Sequence, residues 1–340
     1  MQKSSGKMLF SLCNLYVCAV VGAGFATGQE IMRFFTSYGP VGFLGVLLAG
    51  GLLMIVAPMI LRKSIAYDAH SMGELMSFRL GKRSEWVMGC INFFLEFAVL
   101  IVMLAGLRTL LCQMGMKNIV AVLMILVLLF VASFCKKTAL RINNFLTPIV
   151  ILGITIMGSV LLVQQKEWSG WRGSEIHLPY PWWVSALLYA GFNLLLATPA
   201  LCLAGKNLSQ KKTIAISGGT LGGLCISVMA LLSQCLLFAA GPAIRMEEMP
   251  IIHLAMKTIP WMGAVYSWIL FCAMLSSAII CICCILDLSP HGAKGKQAAL
   301  SALICILATA CSFFDFSWLI HVLYPFFGVV GILAVLLILW

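Results

Sequence analysis

Ten apolar runs separated by short polar links make up most of the chain. They fall at Met8–Tyr38, Val41–Leu61, Ser84–Leu111, Ile119–Phe134, Asn143–Val163, Trp182–Leu203, Thr213–Ala240, Trp261–Leu288, Gln297–Phe313 and Trp318–Trp340. A helix needs about 20 residues to cross the hydrocarbon of a bilayer, and a barrel strand only about 9–11. The runs are longer than strands and do not alternate with period two, so the pattern predicts transmembrane helices rather than a barrel. The segment Met246–Thr258 is amphipathic and too short to span, and reads as a re-entrant or surface helix. Two runs carry glycine in mid-span, near Val21–Ala26 and near Ala190–Asn193, and both are expected to be interrupted there.

Those interruptions fall in the first and sixth of ten helices, which are matching positions in two halves of five. The expected architecture is therefore one all-α transmembrane domain over residues 1–340, with five-helix repeats at 8–163 and 182–340. An odd number of spans in each half inverts one half relative to the other. Paired glycine-interrupted spans in such an arrangement point to a binding site at mid-membrane. Ala23-Gly24-Phe25 and Ala190-Gly191-Phe192 are the same tripeptide. The other reading of these glycines is that they let helices pack closely.

Composition agrees with the pattern. Of the 340 residues, 62% are hydrophobic and 10% charged, against about 25% charged in an ordinary soluble domain. That excludes a soluble enzyme, a secreted domain and a disordered chain. The net charge of +11 does not indicate nucleic acid, because the basic residues cluster in links between apolar runs. Fifteen, including Lys3, Lys7, Arg62, Lys63, Arg79, Lys136, Lys212 and Lys294, fall on one side; seven, including Arg33, Arg108, Arg172 and Arg245, fall on the other. The rule that basic loops stay inside places both termini in the cytoplasm of a plasma-membrane protein. Trp168, Trp171, Trp182 and Trp183 would form an aromatic belt at the outer mouth. Most of the 14 cysteines lie inside apolar runs and read as packing rather than metal ligands. Lys3 and Lys7 before an apolar stretch also suit a cleaved signal, with Ala23 and Ala26 near the cleavage point. The stretch continues past Gly24 to Phe35, which favours a first spanning helix. No segment reads as a soluble domain.

A spanning helix must satisfy its own backbone, and a break is tolerated where the freed groups face a cavity. In the first helix a break would free carbonyls at about Cys18–Val21 and N–H donors at Gly22, Ala23, Gly24 and Phe25. The donors suit an anion and the carbonyls a cation. Ala273, Ser276 and Ser277 share one face of the eighth helix and could complete an oxygen shell around Na⁺. The alternative is that the two hydroxyls bond back to their own helix. Charged groups within the spans invite functional roles, because each costs about 2.5–3.5 kcal/mol to insert at the centre of the bilayer. Glu30 could line the outer vestibule, pair with Arg33 or titrate, and Arg33 could gate the outer side. Glu96 could hold a substrate amine, carry a proton or simply bond within the helix packing. Asp287 could pair with a base at an inner gate. Asn193 is a candidate substrate contact, with Phe25, Phe93 and Phe192 as candidate apolar walls and Gly191 beside them.

The run Val21-Gly22-Ala23-Gly24-Phe25-Ala26-Thr27-Gly28-Gln29-Glu30, with Phe34-Phe35 and Tyr38-Gly39 after it, resembles the signature of the YkvI family of bacterial membrane proteins. That family is placed in the amino acid–polyamine–organocation superfamily and is related to the sodium-dependent neurotransmitter symporters. The resemblance spans the whole chain and implies the five-plus-five inverted-repeat fold of the bacterial leucine transporter. It implies that Gly22-Ala23-Gly24 binds a substrate carboxylate, and that Cys18, Val21, Ala273, Ser276 and Ser277 hold Na⁺. Proton-coupled relatives place a lysine in the fifth helix, and none lies between Arg141 and Lys166 here. Ten spans are expected here, where many relatives carry an eleventh and a twelfth.

The expected activity is Na⁺-coupled symport of an amino acid or similar small zwitterion by alternating access. No phosphate-binding loop is present, which leaves ion gradients as the energy source; one charge moving through 100 mV supplies about 2.3 kcal/mol. The expected partners are a small-molecule substrate and the bilayer, with no nucleic acid, no cofactor beyond the coupling ion and no obligate protein partner. Alternatives are a proton-coupled transporter, a ligand-sensing receptor subunit of the spore-germinant type and a passive channel. An enzyme is not expected, since no Ser/Lys, paired-Asp or His-Glu-x-x-His arrangement appears.

Overall fold

Hydrocarbon offers no hydrogen-bond partners, so each apolar run closes its backbone on itself as helix. This computed structural model describes residues 2–132, 136–164, 179–206, 208, 212–287 and 294–340, and no strand occurs among them. The first run comprises α1 (Gln2–Val20), α2 (Ala23–Thr27), α3 (Gln29–Phe34) and a 3₁₀ turn at Thr36–Val41. The remaining spans are α4 (Gly42–Tyr67), α6 (Arg83–Gln113), α7 (Asn118–Ala132), α8 (Lys136–Gln164), α9 (Trp182–Lys206), α10 (Lys212–Ala240), α12 (Pro260–Asp287), α13 (Lys294–Cys311) and α14 (Phe316–Leu339). Among the described residues, six helices are long and apolar enough to cross a membrane, and α1, α7, α8 and α13 contain shorter apolar stretches. The chain is an all-α polytopic membrane protein.

Two short helices lie in the links. The expected amphipathic segment is α11 (Pro250–Thr258), with Ile251, Ile252 and Ala255 buried. The other, α5 (Met72–Leu80), was not expected. Ser71 Oγ accepts from Glu74 N at 3.1 Å, while Glu74 Oε2 accepts from His70 N at 2.7 Å. This is a capping box with its return bond one residue early, and Ser71-x-x-Glu74 is visible in the sequence. Trp168, Trp171 and Arg172, placed by charge and belt arguments, lie outside the described residues.

The sixth run corrects an expectation. Helix α9 is continuous from Trp182 to Lys206, through Gly191 and Pro199. Its glycine serves a helix crossing instead of a break. A Cβ at Gly191 would stand 2.5 Å from Gly328 O on α14, one at Gly328 would stand 2.5 Å from Leu188 O, and one at Gly331 would collide with Gly191 O. Backbone meets backbone here, which only glycine permits. Around this seam, α4 packs on α9 and α10, α1 packs on α10 and α9, and α12 packs on α6 and α8. The broken first run therefore lies among α4, α9 and α10 on one side and α12 and α6 on the other.

Replacing Gly331 with Val should destabilise the α9–α14 seam by about 1–3 kcal/mol, the usual range for overpacking. It should lower the thermal midpoint in detergent. Gly51→Ala, where nothing lies within 4 Å, should leave the midpoint within error.

Candidate functional site

The first run loses its winding at two points. Val21 N still donates to Val17 O at 2.8 Å, but Gly22 N turns back to Val20 O at 2.9 Å, and the next bond is Ala26 N to Gly22 O at 3.0 Å. Gly22 is extended, with φ −103° and ψ −167°. Among the described residues no donor meets the Val21 carbonyl. The second interruption is Gly28, whose φ of +86° separates α2 from α3. Glycine adopts that backbone without strain, and a Cβ there would also stand 2.7 Å from Ile251 Cγ1 of α11.

A cavity of about 20 Å³ adjoins the first interruption. Val21, Gly22, Ala23 and Ala26 line it from the first run, Met103 from α6, Val150 from α8, and Leu270, Ala273, Met274 and Ser277 from α12. It has room for about one water-sized particle. Of the five expected ion ligands, the structure brings Val21, Ala273 and Ser277 to this space. Ser276 departs from the expectation: its hydroxyl bonds back to Ala273 O at 3.0 Å, the alternative weighed from sequence. Cys18, one turn earlier on α1, is also not among the lining residues. The fifth-run residue at the cavity is Val150, so no amine competes for the space. A carbonyl without a donor, a hydroxyl and ion-sized room fit a small hard cation.

A second cluster forms where α3 meets α9. Glu30 is 2% exposed, and its Oε1 accepts from Asn193 Nδ2 at 3.3 Å. Asn193 Nδ2 also donates to Tyr189 O at 2.9 Å. Glu30 Oε2 folds back over α2, where a Cβ at Gly24 would lie 3.1 Å from it and 3.2 Å from both Tyr324 and Ile320. Phe192 stacks on Tyr324 with ring centroids 4.1 Å apart, and Phe25 is fully buried. The structure thus brings together Gly24, Glu30, Phe192 and Asn193, and Phe25 follows Gly24 in α2.

Other expectations are corrected. Glu30 neither lines a vestibule nor pairs with Arg33. Arg33 Nη2 instead donates to the Tyr180 hydroxyl at 3.3 Å. Phe93 is no wall of the site: it is 37% exposed and stacks with Phe97 on the surface of α6. Glu96 lies near the Cys281 thiol and does not line the cavity. Gly191 faces α14 as described. Asp287 ends α12, and its side chain lies outside the described residues.

The link between α10 and α12 closes over the break. Gln29 Nε2 donates to Glu247 O at 2.7 Å, Thr109 Oγ1 to Glu248 Oε2 at 2.9 Å, and Tyr266 Oη to Ala26 O at 2.8 Å. His253 Nδ1 stands 3.2 Å from Glu247 Oε2. Burial, and then the nearby Arg33 guanidinium, hold the pKa of Arg245 below its ordinary value. Sequence reasoning missed Gln29, Tyr189, Tyr266 and Tyr324. The available signal was a polar tip inside an apolar run, as in Tyr189 and Tyr266.

No protein-family model matches the chain. It is 27% identical over 336 residues to YkvI of Bacillus subtilis (strain 168), described as an uncharacterized membrane protein; the match covers 98% of this chain and 95% of that protein. It is 24% identical over 335 residues to YyaD of the same organism, covering 94% and 92%. Among solved structures it resembles a Na⁺-coupled sialic acid symporter in a substrate-bound outward-open state, with TM-score 0.59, 14% identity and coverage of 99% of this chain and 86% of that one. It also resembles the manganese transporter of Eremococcus coleocola, with TM-score 0.51, 12% identity and coverage of 98% and 71%. These likenesses show the leucine-transporter-type fold, and the two solved neighbours are transporters rather than enzymes.

Gln29→Ala removes the bond that ties α3 to Glu247. Hydrogen exchange across Glu247–Thr258 should accelerate about fivefold, the loss of about 1 kcal/mol expected for one hydrogen bond. Unchanged exchange would show that the link is held elsewhere.

Proposed function

We propose that the chain is a secondary active transporter of the amino acid–polyamine–organocation superfamily, working by alternating access. In this reading it is a Na⁺-coupled symporter of an amino acid or a similar small zwitterion. It sits in the plasma membrane with both termini in the cytoplasm, and its five-helix halves are inverted repeats. The observation that carries the reading is the ion-sized cavity at the Val21–Gly22 break, closed by Ala273 and Ser277 of α12.

The physical argument is one of linkage. An ion held between the Val21 carbonyl and the Ser277 hydroxyl would bridge the broken run to α12. It would then favour whichever arrangement keeps those elements together, and only as far as it binds that arrangement better than its alternative. A cavity of about 20 Å³ admits an ion but not an amino acid, so solute entry requires the lid over Gly28 to lift. The N–H groups of Ala23, Gly24 and Phe25 head α2, whose cap Gly22 supplies no side-chain acceptor. They are the proposed seat of a solute carboxylate. With α9 continuous, movement falls on the first run alone.

Reconstituted into proteoliposomes, the protein should take up a radiolabelled amino acid from a mixed pool about tenfold faster under an inward Na⁺ gradient than under K⁺. Ser277→Ala should raise the Na⁺ concentration for half-maximal uptake about tenfold, the equivalent of about 1.4 kcal/mol. Uptake indifferent to both Na⁺ and the substitution would contradict the coupling.

A further inference from the structure

The cluster around Glu30 has an excess of acceptors. Its one side-chain amide donor, Asn193 Nδ2, is shared between Glu30 Oε1 and Tyr189 O. Asn193 Oδ1 and the Tyr189 hydroxyl are buried with no hydrogen-bond partner among the described residues. Asn193 is 0% exposed and Tyr189 1%. They stand one turn apart on the same face of α9, the face that meets Glu30 and Phe34 of α3. No ion pair to Glu30 is found among the described residues. A buried carboxylate without a cation, beside two buried oxygens without partners, is a costly arrangement unless something completes it.

We infer that Glu30, Asn193 and Tyr189 form the subsite for a protonated amine, so the solute is recognised by its ammonium group. A primary ammonium brings three N–H donors and one positive charge. The cluster offers the Glu30 carboxylate, Asn193 Oδ1 and the Tyr189 hydroxyl as acceptors. The surrounding surface is aromatic: the Phe192–Tyr324 stack, and Phe34 edge-on to Tyr189 at 5.5 Å. Aromatic faces attract organic cations, a contact added to the three oxygens. A carboxylate at this point would meet the charge of Glu30, so the amine end of a solute belongs here and any acid end belongs elsewhere. Gly24 fits this role, because its missing Cβ leaves Glu30 Oε2 room to lie against α2.

The inference rests on the transport reading for its purpose, but the two fail separately. The test is the thermal midpoint of the detergent-purified full chain at constant ionic strength, with ethylammonium, tetramethylammonium or propionate as probe, each in Na⁺ and in K⁺. Ethylammonium should raise the midpoint by about 2–4 °C, as ligand binding to the folded state does. Tetramethylammonium, which has charge but no N–H, and propionate should not. Glu30→Gln should abolish the ethylammonium shift. Should that variant fail to fold, Tyr189→Phe decides: removing one of the three acceptors should shrink the ethylammonium shift by about half.

The inference is overturned by no ethylammonium shift in the wild type, by an equal shift from tetramethylammonium or propionate, by a shift that survives Glu30→Gln, or by a shift that Tyr189→Phe leaves undiminished. A Na⁺-dependent shift without any ethylammonium shift would end the amine subsite and leave the coupling reading standing. The reverse would end the coupling reading and keep the subsite.

Discussion

A backbone that stops hydrogen-bonding to itself inside hydrocarbon must be met by something other than lipid. The Val21–Gly22 break imposes that demand, and the neighbouring helices are arranged to answer it. Tyr266 of α12 donates to the Ala26 carbonyl, Ile251 of α11 occupies the side of Gly28 that lacks a Cβ, and Gln29 anchors the link that carries Ile251. What is left uncovered is a small space beside Val21 and Ser277. The proposed ion site is this remainder: the part of the break that protein does not fill.

The two glycine tripeptides show that one sequence motif serves two mechanical ends. In the first run, Gly22 and Gly28 interrupt the helix, and Gly24 gives room to Glu30. In α9, Gly191 keeps the helix whole and brings it against Gly328 and Gly331 of α14. The consequence is asymmetric. The first run can bend at two joints, whereas α9 and α14 are locked along a backbone-to-backbone seam. Asn193 sits on the rigid partner and Glu30 on the jointed one, so the bond between them spans the line along which the proposed movement occurs.

Much of the fold was legible because hydrocarbon makes apolar length almost equivalent to helix. The run Thr213–Ala240 differs from α10 by one residue at its start. The site was legible only in part. Val21, Ala273 and Ser277 follow from a break facing a hydroxyl-bearing helix. Gly191 was misread because a mid-span glycine serves equally well for breaking and for packing, and the choice depends on whether another helix presents its own glycines. Glu30 and Arg33 stand at pairing distance along a helix, yet burial turns one towards Asn193 while the other reaches Tyr180. Phe93 was misplaced because α6 is apolar all round, so periodicity does not say which face meets lipid. The lid bond from Gln29 to Glu247 joins residues far apart in sequence, and no local pattern announces it.

The central claim is that the interrupted first run and α12 together hold one small cation. Equilibrium binding of radioactive sodium to the purified chain, read by scintillation proximity, tests it without knowledge of the solute. The account predicts saturable binding of about one ion per chain that unlabelled Na⁺ displaces and K⁺ does not, weakened about tenfold by Ser277→Ala. Binding that never saturates, or that is unchanged when the Ser277 hydroxyl is removed, would contradict it.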